Sequence, residues 1–328
     1  MHKLNIVTLV KKNLRSSVTT RLRNISNQPE RSAPRYRLRY MREQDIPQVK
    51  ELRRVNGFYD AASCYKILLK IDPKCFMVAE DEKGKIISTI CLKKITNDTY
   101  FACFHVTHEN YRLQGIARQI IKHSFDSHPN CNIVGNSDIG LLKRNLKLPF
   151  HPQNDFLNIE YEYDTVIDYN LLSSEVPQNV YLHEYQDSYL GAILDYDRSV
   201  VGYEREQLVV SNCRDKDSRS FVATKGGTCV GYGTAKQTIQ GCAKIGPLYA
   251  ESPVIAEAIL KNLLVSFDVK KGLAAQTFST NFYANVIFGA IGTTRKNMLP
   301  SYRMYSKRKL MNETKNIYAV FDGEYEPF

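Results

Sequence analysis

The stretch from residue 100 to residue 124 restricts the fold more than any other part of this sequence. Residues 100–106 read as a strand and residues 115–124 as an amphipathic helix, joined by a short turn around Gly115. A strand handed directly to a helix calls for a sheet with helices laid against it, which predicts the α/β (α+β) class. The turn itself, Arg112-Leu113-Gln114-Gly115-Ile116-Ala117, carries a chemical consequence. The first amides of a helix lack intrahelical acceptors and sit at the positive end of its dipole, so they bind phosphate-like anions. Gly115, without a Cβ, lets the backbone come close to such an anion, and Ala117 keeps the next position small. One exposed dipole contributes only about 0.3–1 kcal/mol. Several N–H groups from residues 113–118 must therefore converge on one diphosphate.

The flanking sequence supplies the remaining elements. A strand is predicted over 36–42, then a helix for which Asp45 is the N-cap and Pro47 lies in the first turn. A second helix is expected over 61–70, strands over 75–79 and 86–93 about a turn at 81–85, a last strand near 132–134 and a short helix over 139–145. The second half repeats this rhythm. The region 195–210 begins as a helix. Strands follow at 220–224, 229–237 and 242–245, then a helix over 256–267, a strand over 274–279, a helix over 282–288 and a closing strand over 302–307. Two units of the same order predict an internal duplication, with the seam in the polar, Pro-containing stretch 172–177. The domains are then 36–175 and 176–328, after a separate leader of 1–35. A length of 328 residues suits two domains of about 150 each.

The net charge of +11 resembles that of a nucleic-acid binder until it is located. Residues 1–35 hold eight Lys and Arg against Glu30 alone, which leaves only +4 on the rest of the chain. No nucleic-acid partner is expected of so modest a balance. The leader is free of acid up to residue 29, rich in Ser and Arg, and Ile6, Val10, Leu14, Val18 and Leu22 repeat at helical spacing. It reads as a mitochondrial targeting segment or as a disordered basic tail. The eight cysteines stand singly in apolar runs without a C-x-x-C, which predicts buried free thiols and no metal site. No run is long and apolar enough to suggest a membrane span.

Arg112-x-x-Gly115-x-Ala117 resembles the R/Q-x-x-G-x-G/A motif of the GNAT superfamily of N-acetyltransferases, and its place after the third antiparallel strand is similar too. In the second half, Asn281-x-x-Ala284-x-x-x-Phe288-x-x-Ile291-Gly292 resembles the family's late helix leading to its final strand. Asp195-x-Asp197-Arg198-x-x-x-Gly202 resembles the second domain of tandem members of the family. So do Ile245-Gly-Pro-Leu-Tyr-Ala250 and Tyr302-Arg-Met-Tyr305. The resemblance implies two acyl-CoA N-acyltransferase domains, each a mixed, mostly antiparallel sheet flanked by helices, with acetyl-CoA as acyl donor. By that resemblance Val106 and Thr107 contact pantetheine. Arg112, Leu113, Gln114, Gly115, Ile116, Ala117 and Arg118 then hold the pyrophosphate. The Val106–Arg112 interval is one residue longer than the family's commonest pattern. The Gly246-Pro247 turn lacks the motif, and Pro247 removes an amide donor, so one acyl-CoA site per chain is expected.

Transfer to an amine needs the amine deprotonated, the thioester carbonyl polarised and the leaving thiolate protonated. Many members of the family use a late-helix Tyr for the last task. The equivalent positions here are Lys143 and Phe288. His105 and Glu109 are the substitute candidates beside the motif, with His108; His105 is equally readable as a core residue and Glu109 as a solvated one. Asp195, Asp197 and Glu204, grouped with Arg198, could receive a cationic amine or could form an ordinary salt-bridged surface. Two functions follow. One is an N-acyltransferase acting on a small-molecule amine; the other is a catalytically silent acyl-CoA-binding or interaction protein.

Overall fold

The computed structural model describes residues 35–146, 148–163, 167–292, 300–311 and 313–328. The leader up to residue 34 and the Lys143 side chain lie outside them.

The first half opens with β1 (Tyr36–Tyr40) and α1 (Ile46–Val55). Pro47 lies in the first turn of α1, where a missing N–H costs nothing. Asp45 does not cap α1 with its side chain. Its carboxylate takes Arg39 at 2.6 and 2.9 Å and the Arg42 amide at 2.8 Å, because a guanidinium is a stronger donor than a helix amide. There follow α2 (Cys64–Ile71), β2 (Phe76–Asp81), β3 (Ile86–Thr96), β4 (Thr99–Thr107), α3 (Ile116–Asp126), β5 (Asn132–Asp138), the single turn α4 (Leu142–Asn145) and β6 (His151–Tyr163). The sequence reading places no strand at β6. Asn, Gln, Asp and Glu dominate that segment, so its inward residues Gln153, Asn158 and Tyr161 do not show as an apolar stripe.

The second half contributes β7 (Val180–Glu184), α5 (Leu190–Val201), α6 (Glu206–Cys213), β8 (Ser218–Lys225), β9 (Thr228–Gln237) and β10 (Ala243–Ala250). It continues with α7 (Pro253–Ser266), β11 (Leu273–Phe278), α8 (Phe282–Ile291), β12 (Ser301–Tyr305) and β13 (Ile317–Ala319). Gly246-Pro247, expected as the turn of a second cradle, lies inside β10 instead. The polypeptide turns toward a helix only after Ala250.

The strands form one sheet in the order β1-β2-β3-β4-β5-β12-β6-β11-β10-β9-β8-β7, with β13 paired to β10 off this path. The halves have exchanged strands at its centre. β12, expected to close the second half, lies antiparallel between β5 and β6, and β6 in turn pairs with β11. Among the described residues, only one pair in each half is parallel, β4 with β5 and β10 with β11.

Helices α1, α2, α5 and α6 share one apolar cluster that runs from Val49, Leu52 and Tyr65 through Phe76 and Phe104 to Val201, Tyr232, Phe321 and Phe328. Ile116 and Ile120 of α3 pack on Ile87 and Ile90 in a smaller cluster, and α7 and α8 build a third around Ile259, Leu263 and Phe288. All eight cysteines are free thiols; seven are buried and Cys131 is half-buried.

Candidate functional site

β4 and β5 run parallel only as far as Ala102 and Gly135. A Cβ on Gly135 would stand 3.0 Å from the Ala102 carbonyl oxygen, so the two strands meet closely at this point and then part. Just beyond it β4 carries a bulge. Thr89 faces Val106 while Cys91 faces Cys103, which sets Phe104 and His105 against a single residue of β3. Phe104 takes φ 52°, a left-handed conformation rare for an aromatic residue. The bulge therefore comes immediately before Val106 and Thr107, the positions expected from the resemblance. Past Ala102, no strand among the described residues covers the outer edge of β4.

β4 delivers the chain through a turn at 109–111 to α3. Gly115 stands at the N-cap with φ 82°, and Leu113, with φ 65°, is 88% exposed. The Gln119 amide is the first to find a helical acceptor, the Gly115 carbonyl, at 3.1 Å. Among the described residues, the amides of residues 113–118 have no acceptor. A Cβ on Gly115 would meet no atom within 4 Å, so the space in front of these amides is open. Gln114 and Arg112 brace the turn from behind. Gln114 Nε2 donates to the Asn110 carbonyl at 2.9 Å, and Arg112 donates to the Thr107 carbonyl at 3.2 Å and to the Asn56 side chain. Ile116 is buried, Ala117 half-buried and Arg118 exposed.

The other sequence candidates separate. His105 is half-buried on the bulge, and Glu109 is exposed on the turn. His108 accepts the Asn110 amide at Nδ1, and its Nε2 stands 3.0 Å from Lys85 Nζ. Burial, then the Lys85 charge, holds His108 below the usual imidazole range. Asp195 and Glu204 are exposed and share Arg198 at 2.9 and 3.1 Å. Asp197 does not join them. Two residues along a helix amount to about 200° of rotation, so it points inward. There it forms a bidentate pair with Arg205 at 2.7 and 2.8 Å and accepts the Tyr232 hydroxyl. The three acids are one exposed pair and one buried structural ion, not a single cluster.

The second half parts its parallel strands in the same way, after Ile245 and Ala275. Here the gap is filled. Leu248 of β10 pairs with Ala319 and Tyr249 with Ile317, while the Val320 amide donates to the Gln276 carbonyl of β11 at 2.9 Å. A Cβ on Gly246 would collide with the Val320 and Phe321 carbonyl oxygens, the latter at 2.7 Å, so only glycine allows the segment to pass. Fewer amides are left over at the start of α7. Pro253 has none, and Ser252 Oγ accepts from Ile255.

Beyond β13 the chain enters the cluster shared by both halves and brings three acids with it. Asp322 meets Lys244 at 2.6 Å, Glu324 meets Arg53 at 2.5 Å, and Glu326 meets Lys93 and Arg205. Tyr325 stacks on Phe104, ring centroids 6.0 Å apart, and the Gly323 carbonyl accepts from Asn136 at 3.4 Å. Residues 322–325 thus lie against the fork of β4 and β5. On β6, Glu160 accepts Gln276 Nε2 at 3.0 Å. Burial, then the charges of Glu324 and Asp138, push Glu160 up to about 8. Burial raises Glu324 and Asp138 as well. The sequence reading named none of Phe104, Asn136, Glu160 or Glu324. The alternation of Asp322, Glu324 and Glu326 with aromatic residues, at the end of a basic chain, was the available signal.

Among the described residues no helix is long and apolar enough to cross a membrane, and no group of three or more potential ligands is placed to hold a metal ion.

Residues 39–135 match the acetyltransferase (GNAT) family, and residues 193–319 match a further acetyltransferase (GNAT) domain. No curated protein matches the sequence. Three solved structures share the fold over most of the chain. A candidate acetyltransferase from Pyrococcus horikoshii superposes with a TM-score of 0.68 at 16% identity, over 92% of this chain and 99% of its own. A tandem GNAT protein from the clavulanic acid biosynthesis pathway does so with 0.57 at 12%, over 83% and 98%. A GCN5-related N-acetyltransferase from Sphaerobacter thermophilus gives 0.57 at 13%, over 90% and 100%. At these identities the likeness is one of fold. With one such domain matched in each half, the chain belongs to the GNAT superfamily as a tandem GNAT protein.

Proposed function

We propose that the protein is an acyl-CoA-dependent N-acyltransferase that uses acetyl-CoA and acts on a small-molecule amine through a single donor site in its first half. The observation that carries this reading is the run of amides at residues 113–118 without acceptors, set beside the uncovered edge of β4. The residues present fit a CoA diphosphate. The amides point donors at one open place, the α3 dipole adds positive potential, and Gly115 leaves the approach clear. Val106 and Thr107, with Phe104 and His105 on the bulge, would flank an extended arm along β4. An acyl-CoA bound there supplies an activated thioester carbonyl.

The chain's own part is to fix that donor and to exclude water from the fork. Phe104, Tyr65 and Tyr325 form an apolar wall at the bulge. Filling of the second gap by β13 supports one donor site per chain. The leader reads as a mitochondrial targeting segment on its sequence, and fusing residues 1–35 to a fluorescent reporter tests that separately.

Calorimetry with CoA and release of thiol from acetyl-CoA over a panel of primary amines test the main reading. The expected result is one CoA per chain and turnover with at least one amine. CoA binding without turnover on any amine would instead favour a silent acyl-CoA-binding protein, which the Phe at position 288 also allows.

A further inference from the structure

A cavity of about 290 Å³ lies where β10 and β11 begin, the end opposite the point at which they part. Lys216, Arg219 and Lys271 line it, together with Asp217, Asp268 and Phe267. None of the three cations forms an ion pair among the described residues, whereas Arg214 beside them holds Asp187 at 3.0 Å. Arg219 Nη1 donates to a backbone group, the Ser218 carbonyl, at 2.9 Å. Asp268 accepts the Lys270 amide at 3.0 Å. Three cations against two acids leave the lining positive, and all three are exposed, within reach of a ligand. The volume is at the lower end of what holds a small metabolite.

We propose that this cavity binds a small multivalent oxyanion through Lys216, Arg219 and Lys271, and that its occupancy tightens the donor cradle. The shared chemistry of the ligand is two or more carboxylate or phosphate charges. A guanidinium meets either group with paired N–H donors, and the two ammonium groups add point charges. Asp217 and Asp268 favour a ligand that also carries hydroxyl donors.

The route from this cavity to the cradle is a run of hydrogen bonds. Gln237 and Gly241, which also line the cavity, flank the turn between β9 and β10. A Cβ on Gly241 would stand 3.3 Å from Lys271 Nζ, so the ammonium rests against that turn. The hairpin in turn grips the end of α1 and the loop after it. The Gln237 carbonyl accepts the Ala62 amide at 2.8 Å, and the Ile239 amide donates to the Asp60 carbonyl at 2.9 Å. Gln240 Nε2 donates to the Arg54 and Phe58 carbonyls at 2.8 and 3.2 Å. Asn56 in the gripped loop accepts from Arg112, which braces the cradle. An anion spanning Arg219 and Lys271 ties the starts of β8 and β11 to the base of the hairpin. It therefore favours the arrangement in which the loop and Arg112 are held. This coupling rests on the acyl-CoA reading above; the anion site itself does not.

The test uses the full chain, with citrate and glycerol 3-phosphate as probes and sodium chloride at matched ionic strength as the blank. Ligand-observed NMR reads the binding of each anion, and calorimetry reads CoA affinity with and without it. At least one anion is expected to bind, and which one does identifies carboxylate or phosphate as the favoured group. Arg219→Ala combined with Lys271→Ala should weaken that binding about tenfold or more. Both positions are exposed, so the double variant should fold as the wild type does. In wild type saturated with the anion, CoA affinity should rise about fivefold, and CoA should tighten the anion by the same factor. The double variant should show no such gain. Gln240→Ala should keep the anion and lose the gain. Binding of neither anion, or equal binding by wild type and double variant, would overturn the site. An unchanged CoA affinity with the anion bound overturns the coupling, and so does a fall, which places the anion on the α3 amides. Absence of CoA binding in the wild type strikes the acyl-CoA reading alone, because the anion measurements need no CoA.

Discussion

In the first half the parallel strands part after Ala102 and Gly135, and the outer edge of β4 stays uncovered; in the second they part after Ile245 and Ala275, and β13 enters the gap. The helices that follow differ in the same sense. α3 begins at a left-handed glycine with six amides left over, whereas α7 begins at Ser252-Pro253 with one amide removed and another capped. A duplicated fold thus offers two geometrically equivalent places, of which the proposed donor site takes only the first. Two conditions must hold together, an open strand edge and unspent amides, and the second copy has lost both. The loss is not idle. The segment that fills the second gap continues to the first fork, where Glu324 and Tyr325 become part of its wall.

The largest expected effect destroys the open member of this pair. Gly115→Glu places a carboxylate among the α3 amides, and CoA affinity should fall about 100-fold or more, roughly 2.7 kcal/mol. The protein should still fold, since no atom stands within 4 Å of the new Cβ and the left-handed φ costs only about 1–2 kcal/mol. Gly115→Ala carries the same strain without the charge and separates the two contributions. CoA affinity retained in Gly115→Glu would mean that the cradle lies elsewhere.

A middle effect breaks the filled member. Gly246→Ala forces a Cβ against the Val320 and Phe321 carbonyls, which belong to the backbone and cannot rotate away. It should destabilise the protein by about 1–3 kcal/mol and lower the melting temperature by several degrees, with the CoA affinity per folded molecule unchanged. A gain of a second CoA equivalent in this variant would show that β13 only masks a working second site.

The smallest effect concerns the surface acids that sequence reading offered as an amine receiver. Arg198→Ala frees Asp195 and Glu204 but removes only an exposed pair, so stability should shift by about 0.5 kcal/mol at most and amine turnover not at all. A clear change in turnover would place the acceptor at this surface pair.

Most of the fold, with the strand, turn and helix that carry the proposed donor site, is legible in the sequence. Gly115, the strand before it and the amphipathic helix after it are local features, and local features survive reading one residue at a time. The polar residues beside the fork are hidden because they are assembled from afar. Glu160 lies on a strand whose polar composition conceals its period, and Glu324 lies in a segment after the last predicted strand. The bulge at Phe104 depends on the register between β3 and β4, which no single strand encodes. Asp197 was misplaced for a simpler reason. It follows Asp195 by two residues, and helix geometry sends residues at that spacing to opposite faces.

The strand exchange at the centre of the sheet has a consequence during synthesis. Asp138 of β5 finds its partner in Ser301 of β12. At about 5–20 residues per second, that partner leaves the ribosome roughly 8–30 s after β5 does. Through that interval β5 is paired on one edge only, with β4, and the proposed donor site sits on a sheet still missing its next strand. A chain of this design cannot mature domain by domain as it emerges. Its first copy must wait for its second, so the two are expected to gain and lose structure together and neither half to fold when made alone.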